Sequence, residues 1–93
     1  METPVNEYFE GKVKSLGNEL NGRPFSVGII KPGEYTFGTK TKEHMEITHG
    51  EMEVILPDKT KNLYKKGDSF QVEPDVDFTA IAKEPVSYLC IYG

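Results

Sequence analysis

Ninety-three residues are enough for one domain with a single core, and that core is a modest one, because small domains bury a lower fraction of their chain surface. Fifteen acids against eleven bases give a formal charge of −4, which excludes a general attraction to nucleic acid or to an anionic membrane surface, since both need a cationic field. One cysteine, Cys90, excludes an intramolecular disulfide and a zinc framework. No stretch approaches the roughly 20 apolar residues of a membrane helix, so a soluble, cytoplasmic protein is expected.

In chain order, residues 1 to 7 read as a loose arm and Phe9 to Leu16 as a first strand. Gly17 to Pro24 is dense in residues that turn the chain and reads as a surface loop. Phe25 to Ile30 resumes as a strand, with apolar side chains on alternate positions and a smaller Ser/Gly face between them, and Gly28 there marks a bulge or a close approach. Lys31-Pro32-Gly33-Glu34 has the order of a type II turn, so another hairpin is expected. A strand over Glu34 to Phe37 leads into a lysine-rich loop, Glu43 to Ile47 runs up to a tight His49-Gly50 turn, and Met52 to Leu56 runs back. Asp58 to Asn62 is a polar turn, Leu63-Tyr64 a short edge piece, and Gly67-Asp68 a further turn into a strand ending at Pro74. Phe78 to Ala82 and the uncharged Val86 to Tyr92 complete the set, the last expected to be buried on both faces. No apolar stripe of helical period survives over ten residues.

Turns recurring about every ten residues suit an all-β sandwich or barrel. Nine short antiparallel strands in one small domain leave a jelly-roll barrel or a Greek-key sandwich. A charged segment closing on Gly50, followed by Gly67-Asp68 and a strand ending at Pro74, resembles the two half-motifs of the cupin barrel, from Gly33 to Phe78. The fold expected is therefore a single-domain, all-β cupin jelly roll over residues 1–93.

The cupin resemblance also implies where a metal would sit. Glu43 stands at the metal-binding glutamate position, but the histidine positions fall on Phe37, Thr39 and Phe78. One carboxylate cannot hold a transition metal where three or four ligands are needed, so no metal is expected. His44 and His49 lie five apart, which on a regular strand puts them on opposite faces. The pairs Glu51/Glu53 and Asp75/Asp77 each share a face, as acid and base in glycosidic chemistry do, yet both sit beside turns, where solvated charge is the usual finding.

A wider resemblance rests on Asn6-Glu7-Tyr8-Phe9-Glu10-Gly11-Lys12-Val13-Lys14-Ser15, on Pro32-Gly33-Glu34-Tyr35-Thr36-Phe37, and on Ser87-Tyr88-Leu89-Cys90-Ile91-Tyr92. These segments resemble the small single-domain pyrimidine/purine nucleoside phosphorylases, a cupin family, over nearly the whole chain. One departure is that members often carry a tryptophan where this chain has Asn62-Leu63. The resemblance implies reversible phosphorolysis of purine and pyrimidine nucleosides to free base and ribose 1-phosphate, with inorganic phosphate as co-substrate and no other cofactor. An alternative is a non-catalytic cupin that binds a small ligand or a protein partner.

Such a reaction needs a cation or amide cluster for phosphate, a grip on the ribose hydroxyls, and a group that offsets positive charge building on the sugar. Glu43 is the candidate for the sugar if it faces the barrel interior; otherwise it is an exposed loop carboxylate. Phe37 and Phe78 are candidates to stack on the base, or else core filling. Arg23, the single arginine, is the candidate phosphate anchor, with Lys12 and Lys14 beside it reading as a solvated face. Tyr35, Tyr88 and Tyr92 are candidate donors to base or sugar, or else packing residues. The apolar end strand predicts a homodimer that covers it.

Overall fold

The computed structural model describes residues 5–93, and the first four residues of the expected arm lie outside the described part. Ten strands and no helix make up this part: β1 (Val5–Tyr8), β2 (Val13–Leu20), β3 (Arg23–Ile30), β4 (Gly33–Gly38), β5 (Glu43–His49), β6 (Glu51–Ile55), β7 (Lys61–Lys65), β8 (Ser69–Val72), β9 (Asp77–Ala82) and β10 (Val86–Tyr92). They form two antiparallel sheets, one of six strands in the order β1-β2-β3-β10-β5-β8 and one of four in the order β4-β9-β6-β7. From β3 onward every connection except the β6–β7 hairpin carries the chain from one sheet to the other, which is the winding of a jelly roll. The all-β cupin expectation holds, with ten strands where nine were expected.

Alternation builds the core between the sheets. Met45 and Ile47 of β5, Met52 and Val54 of β6, Phe78 and Ala80 of β9, and Val86 and Tyr88 of β10 all point inward and are buried. Their intervening neighbours face out, as period-two side-chain geometry requires.

Several boundaries differ from the sequence reading. Val5 to Glu7 are not a loose arm: they pair with Leu16 to Lys14 as part of β1. The expected strand start at Phe9 is a turn instead. Phe9, Glu10 and Gly11 all have positive φ (53°, 59° and 83°), closed by hydrogen bonds from Gly11 N to Tyr8 O and from Lys12 N to Phe9 O. Left-handed backbone costs an L-residue about 1–2 kcal/mol. The Phe9 ring offsets this by packing on Tyr35 and Phe37, at centroid distances of 5.0 and 5.4 Å.

The expected loop Gly17 to Pro24 is mostly strand. Asn21 and Gly22 take φ of 51° and 80°, and Leu20 pairs with Arg23, so a two-residue Asn-Gly turn of the hairpin type joins β2 to β3. The Pro32-Gly33 segment, by contrast, makes no hairpin: β3 and β4 lie in different sheets, and Gly33, at φ 150°, turns the corner between them. A Cβ at Gly33 would lie 2.6 Å from the Tyr35 hydroxyl. Gly50 turns the other corner, between β5 and β6.

The β3 pattern runs opposite to what hydrophobic alternation alone suggests. Val27 and Ile29 face outward and are exposed, while Ser26 is buried and Gly28 sits on the inner side with it. The cause is on β10. Tyr88 and Tyr92 reach from the central strand under β3; a Cβ on Gly28 would stand 2.6 Å from the Tyr88 hydroxyl, and Ser26 is hydrogen-bonded to Tyr92 at 2.8 Å. Small residues on β3 accommodate two large phenols, and the space beside those phenols stays open. Gly28 thus marks a close approach.

Candidate active site

That open space is a cavity of about 460 Å³ at one end of the barrel. One wall is the inner face of the six-stranded sheet, where β2 contributes Ser15, β5 contributes Glu43, and β10 contributes Tyr88, Cys90 and Tyr92. The opposite wall is β4 and β9, with Phe37 and Phe78. Tyr8 of β1 stands at the rim, as do Lys40 and Thr41 of the loop between β4 and β5.

Register explains the convergence. Glu43 pairs with Tyr92, and Cys90 pairs with Met45 on one side and Ser26 on the other. Residues two apart share a face, so Glu43, Cys90, Tyr92 and Ser26 all project inward near the same end of adjacent strands. Glu43 is half-buried; burial pushes its carboxyl above the ordinary value, and a hydrogen bond from Cys90 works in the other direction. The thiol donates to Glu43 Oε1 at 3.6 Å. Burial holds Cys90 and Tyr88 up to about 12 each, so both remain protonated donors at neutral pH. Tyr92 is raised as well, for the same reason first.

The aromatic wall is continuous. Phe37 and Phe78 stack at 5.4 Å with 28° between planes, Phe9 meets Phe37 edge-on, and Phe78 passes the contact on to Phe70 and Tyr64. Pairing fixes this, since Phe37 stands directly across from Phe78. Rings held by such neighbours offer a rigid apolar face at little entropic cost.

The loop that carries Lys40 is fixed from below. The buried Thr39 hydroxyl donates to Glu73 O at 2.7 Å and accepts from Val76 N at 3.1 Å. Backbone bonds from Thr39 N to Val76 O and from Asp75 N to Thr39 O close the latch. Of the three residues at the histidine positions of the typical cupin pattern, Thr39 thus ties the β4–β5 loop to the β8–β9 connection, while Phe37 and Phe78 form the aromatic pair.

Of the expected site residues, the cavity brings together Glu43, Phe37 and Phe78, along with Tyr88 and Tyr92. It does not include Tyr35 or Arg23. The Tyr35 hydroxyl is directed to the carbonyls of Lys31 and Pro32, at 2.8 and 3.0 Å, which makes it the lock of the β3–β4 corner. Arg23 is exposed beside the Asn21-Gly22 turn. Lys40, not Arg23, is the cation at the cavity, and sequence reasoning passed over it inside a lysine-rich loop. Cys90, Ser15 and Tyr8 were missed too; the alternation of Tyr88, Cys90 and Tyr92 on one face of β10 was the signal for the first.

The remaining candidates stay outside. His44 and His49 pair with Ile91 and Ser87, near opposite ends of β10, and no group of three His, Cys, Asp or Glu side chains is arranged to hold a metal among the described residues. Glu53 pairs with Lys61 at 3.4 Å, whereas Glu51, Asp75 and Asp77 are exposed. Asn62 and Leu63, the departure from the family pattern, lie exposed on the edge strand β7 and away from the cavity.

A jelly roll whose end cavity sets a polar wall against an aromatic one is a cupin barrel with a pocket of small-molecule size. A crystal structure of an RmlC-like cupin from Shewanella frigidimarina aligns over 98% of the chain and 83% of its own, with a TM-score of 0.78 at 21% identity, which supports the fold. A Vibrio parahaemolyticus crystal structure matches all of both chains with a TM-score of 0.95 and 39% identity. The family model for pyrimidine/purine nucleoside phosphorylase matches residues 3–92, and the protein of that name from Marinobacter nauticus is 42% identical, covering 96% of this chain and 97% of its own. The chain belongs to the pyrimidine/purine nucleoside phosphorylase family.

Proposed function

We propose that this protein catalyses the reversible phosphorolysis of purine and pyrimidine nucleosides, with inorganic phosphate as co-substrate and without a metal. The observation that carries the reading is the two-walled cavity, in which the Glu43 carboxylate and the Lys40 ammonium stand on the polar side of a stacked Phe37–Phe78 pair. Family membership supplies the reaction class.

In this reaction the bond between the sugar's anomeric carbon and the base nitrogen breaks, and the electron pair leaves with the base, which takes up a proton. A phosphate oxygen then forms the new bond to the anomeric carbon. Positive charge develops on the sugar between these events. Glu43 is the anionic side chain lining the cavity, and its role is to offset that charge and to hold ribose hydroxyls, an interaction stronger in the transition state than in the ground state. Lys40, with the Thr41 hydroxyl, holds phosphate as a point charge. The base lies against Phe37 and Phe78, and a ring face accepts any planar base without reading its edge, which accounts for breadth of base choice.

Metal independence is supported by what fills the positions where the typical cupin pattern has histidines: a stacked phenylalanine pair and a hydroxyl already committed to the backbone. Prolonged chelation should leave activity intact, and elemental analysis finding one transition metal per chain would overturn this. A cytoplasmic homodimer completes the reading. Val27, Ile29 and Leu16 leave an apolar groove on the outer face of the six-stranded sheet, continuous with the half-buried outer side of β10, and a closed symmetric pair would cover it. Light scattering should give twice the chain mass at micromolar concentration; monomer mass alone would refute the assembly.

The deciding experiment is incubation of the pure protein with inosine and with uridine, each with and without phosphate. Release of hypoxanthine and of uracil only when phosphate is present is expected. Release without phosphate, or none with it, would refute the reading.

A further inference from the structure

The stretch from Phe37 to Glu43 carries the chain from the aromatic wall on β4 to the polar wall on β5. Phe37, Lys40, Thr41 and Glu43 of this stretch line the cavity, whereas Thr39 does not. Thr39 is 5% exposed, and its polar groups are all committed to the connection between β8 and β9. The hydroxyl donates to Glu73 O at 2.7 Å and accepts from Val76 N at 3.1 Å. The amide donates to Val76 O at 2.9 Å, and the carbonyl accepts from Asp75 N at 3.0 Å. Asp75, with a φ of 60°, bends that connection so that these groups meet one residue. The far end of the loop is held as well: Gly93 N donates to Lys42 O at 2.8 Å, and Glu43 beyond it pairs with Tyr92. Lys40 and Thr41 therefore stand between two fixed ends.

We propose that Thr39 is a positioning residue for phosphate: its hydroxyl, fastened to the β8–β9 connection, sets where Lys40 and Thr41 stand between the Phe37–Phe78 pair and Glu43. This rests on the phosphate role given to Lys40 and Thr41 above. A lysine ammonium is a point charge on a flexible stem, so what the fold can fix in advance is the backbone from which it springs. Such fixing matters because a misplaced reactant loses much of the gain from being held at all. Threonine suits the place because a hydroxyl both donates and accepts. Valine has the same shape and does neither, which would leave Glu73 O and Val76 N without that partner. Phe37 and Glu43 do not depend on the latch in the same way, since strand pairing holds them: Phe37 lies across from Phe78, and Glu43 between Tyr92 and Val72. The effect of Thr39 thus falls on phosphate and not on base or sugar.

The test is a separation of two Michaelis constants. KM for phosphate, KM for inosine and kcat are measured for Thr39→Val and Thr39→Ser, each alone and with Lys40→Ala. Thr39→Val should raise KM for phosphate about threefold to tenfold, less than loss of the cation itself because the lysine remains. KM for inosine should stay within about twofold, the range of a substitution that touches no part of its site. Thr39→Ser keeps the hydroxyl and should recover most of the rise. In the Lys40→Ala background, Thr39→Val should change KM for phosphate by less than about twofold, since residues that act through one another do not add. Equal rises in both Michaelis constants, no recovery in Thr39→Ser, or full additivity with Lys40→Ala would overturn the proposal. Should Thr39→Val not fold, Thr39→Cys, a weaker donor of similar size, takes its place in the same comparison. Phosphorus NMR titration of the same proteins with inorganic phosphate reads the latch without turnover. A wild-type protein that binds phosphate but releases no base would refute phosphorolysis. The latch would then hold if Thr39→Val weakens that binding and Thr39→Ser does not, and would fall if all three bind alike or not at all.

Discussion

The two walls of the cavity are made by the same means and do opposite things. On the six-stranded sheet, the positions lining the cavity are Ser15, Glu43, Tyr88, Cys90 and Tyr92, with the Cys90 thiol donating to Glu43 and with Ser26, behind the lining, hydrogen-bonded to Tyr92. On the four-stranded sheet, the inward positions are Phe37 and Phe78, backed by Ala80 and Val54, with no polar atom to offer. Both follow from period-two alternation on antiparallel strands, so the difference is one of residue type alone. A polar wall can discriminate, because an unmatched buried donor or acceptor costs about 1–3 kcal/mol, whereas an aromatic face discriminates weakly. The proposed function uses this difference: it puts selection at sugar and phosphate, where nucleosides are alike, and breadth at the base, where they differ.

The strongest way to break this division is at Glu43. Glu43→Gln keeps the shape and removes the charge, and turnover should fall on the order of 10²-fold, equally for inosine and uridine because the effect acts on the sugar. Stability gives an independent reading. Burial raises the folded carboxyl above its unfolded value, so folding disfavours the ionised form, and the protein loses stability from this group as pH rises through its titration. The Gln variant lacks that penalty, and its Tm at pH 7 should equal or exceed the wild type. A variant that folds normally and keeps full activity on both substrates would remove Glu43 from the site.

Lys40→Ala tests the cation at the rim of the cavity. Loss of the cation should raise KM for phosphate about tenfold to thirtyfold, in the range of one charge-assisted contact, with KM for nucleoside nearly constant. Equal rises in both would mean that Lys40 only shapes the loop. The aromatic wall is sharpened by Phe37→Leu, which keeps apolar bulk and removes the π face. Here a loss of about threefold to tenfold is expected, corresponding to roughly 0.5–1.5 kcal/mol of aromatic contact, and it should be larger for inosine, whose base presents two fused rings. Identical losses for both nucleosides would place the base elsewhere.

How far the sequence could be read depends on which physical rule was in control. The all-β class was legible because turn residues punctuate the chain at regular intervals, although nine strands were read where ten form, and Glu43, Phe37 and Phe78 drew attention because they occupy the positions of a known half-motif. The inner face of β3 was not. Phe25, Val27 and Ile29 are the more apolar set, but Tyr88 and Tyr92 from 60 or more residues away need the space above Ser26 and Gly28, and burial of two phenols outweighs local alternation. The same long-range fact makes the cavity, so Ser15, which depends on it, could not be found by scanning neighbours, whereas Cys90 carried a local signal in the alternation of Tyr88, Cys90 and Tyr92 along β10. The Asn21-Gly22 hairpin was a different kind of miss, since its turn signal was local and was read as part of a longer loop.

Arg23 is the smallest expected effect and the cleanest check on geometry against composition. As the single arginine, it is the residue that chemistry alone would choose for phosphate, because its planar fork matches two oxygens. The fold places it at the start of β3, paired with Leu20 across the Asn21-Gly22 turn, exposed and outside the cavity lining. A phosphate held there would have to be delivered to a sugar at the other wall, and the water-filled distance would screen its charge in between. Arg23→Ala should thus leave kcat/KM for phosphate within about twofold, the range usual for surface substitutions. If the variant instead loses phosphate affinity as strongly as Lys40→Ala while folding normally, the phosphate site lies at the β2–β3 hairpin, and Lys40 is left with the loop.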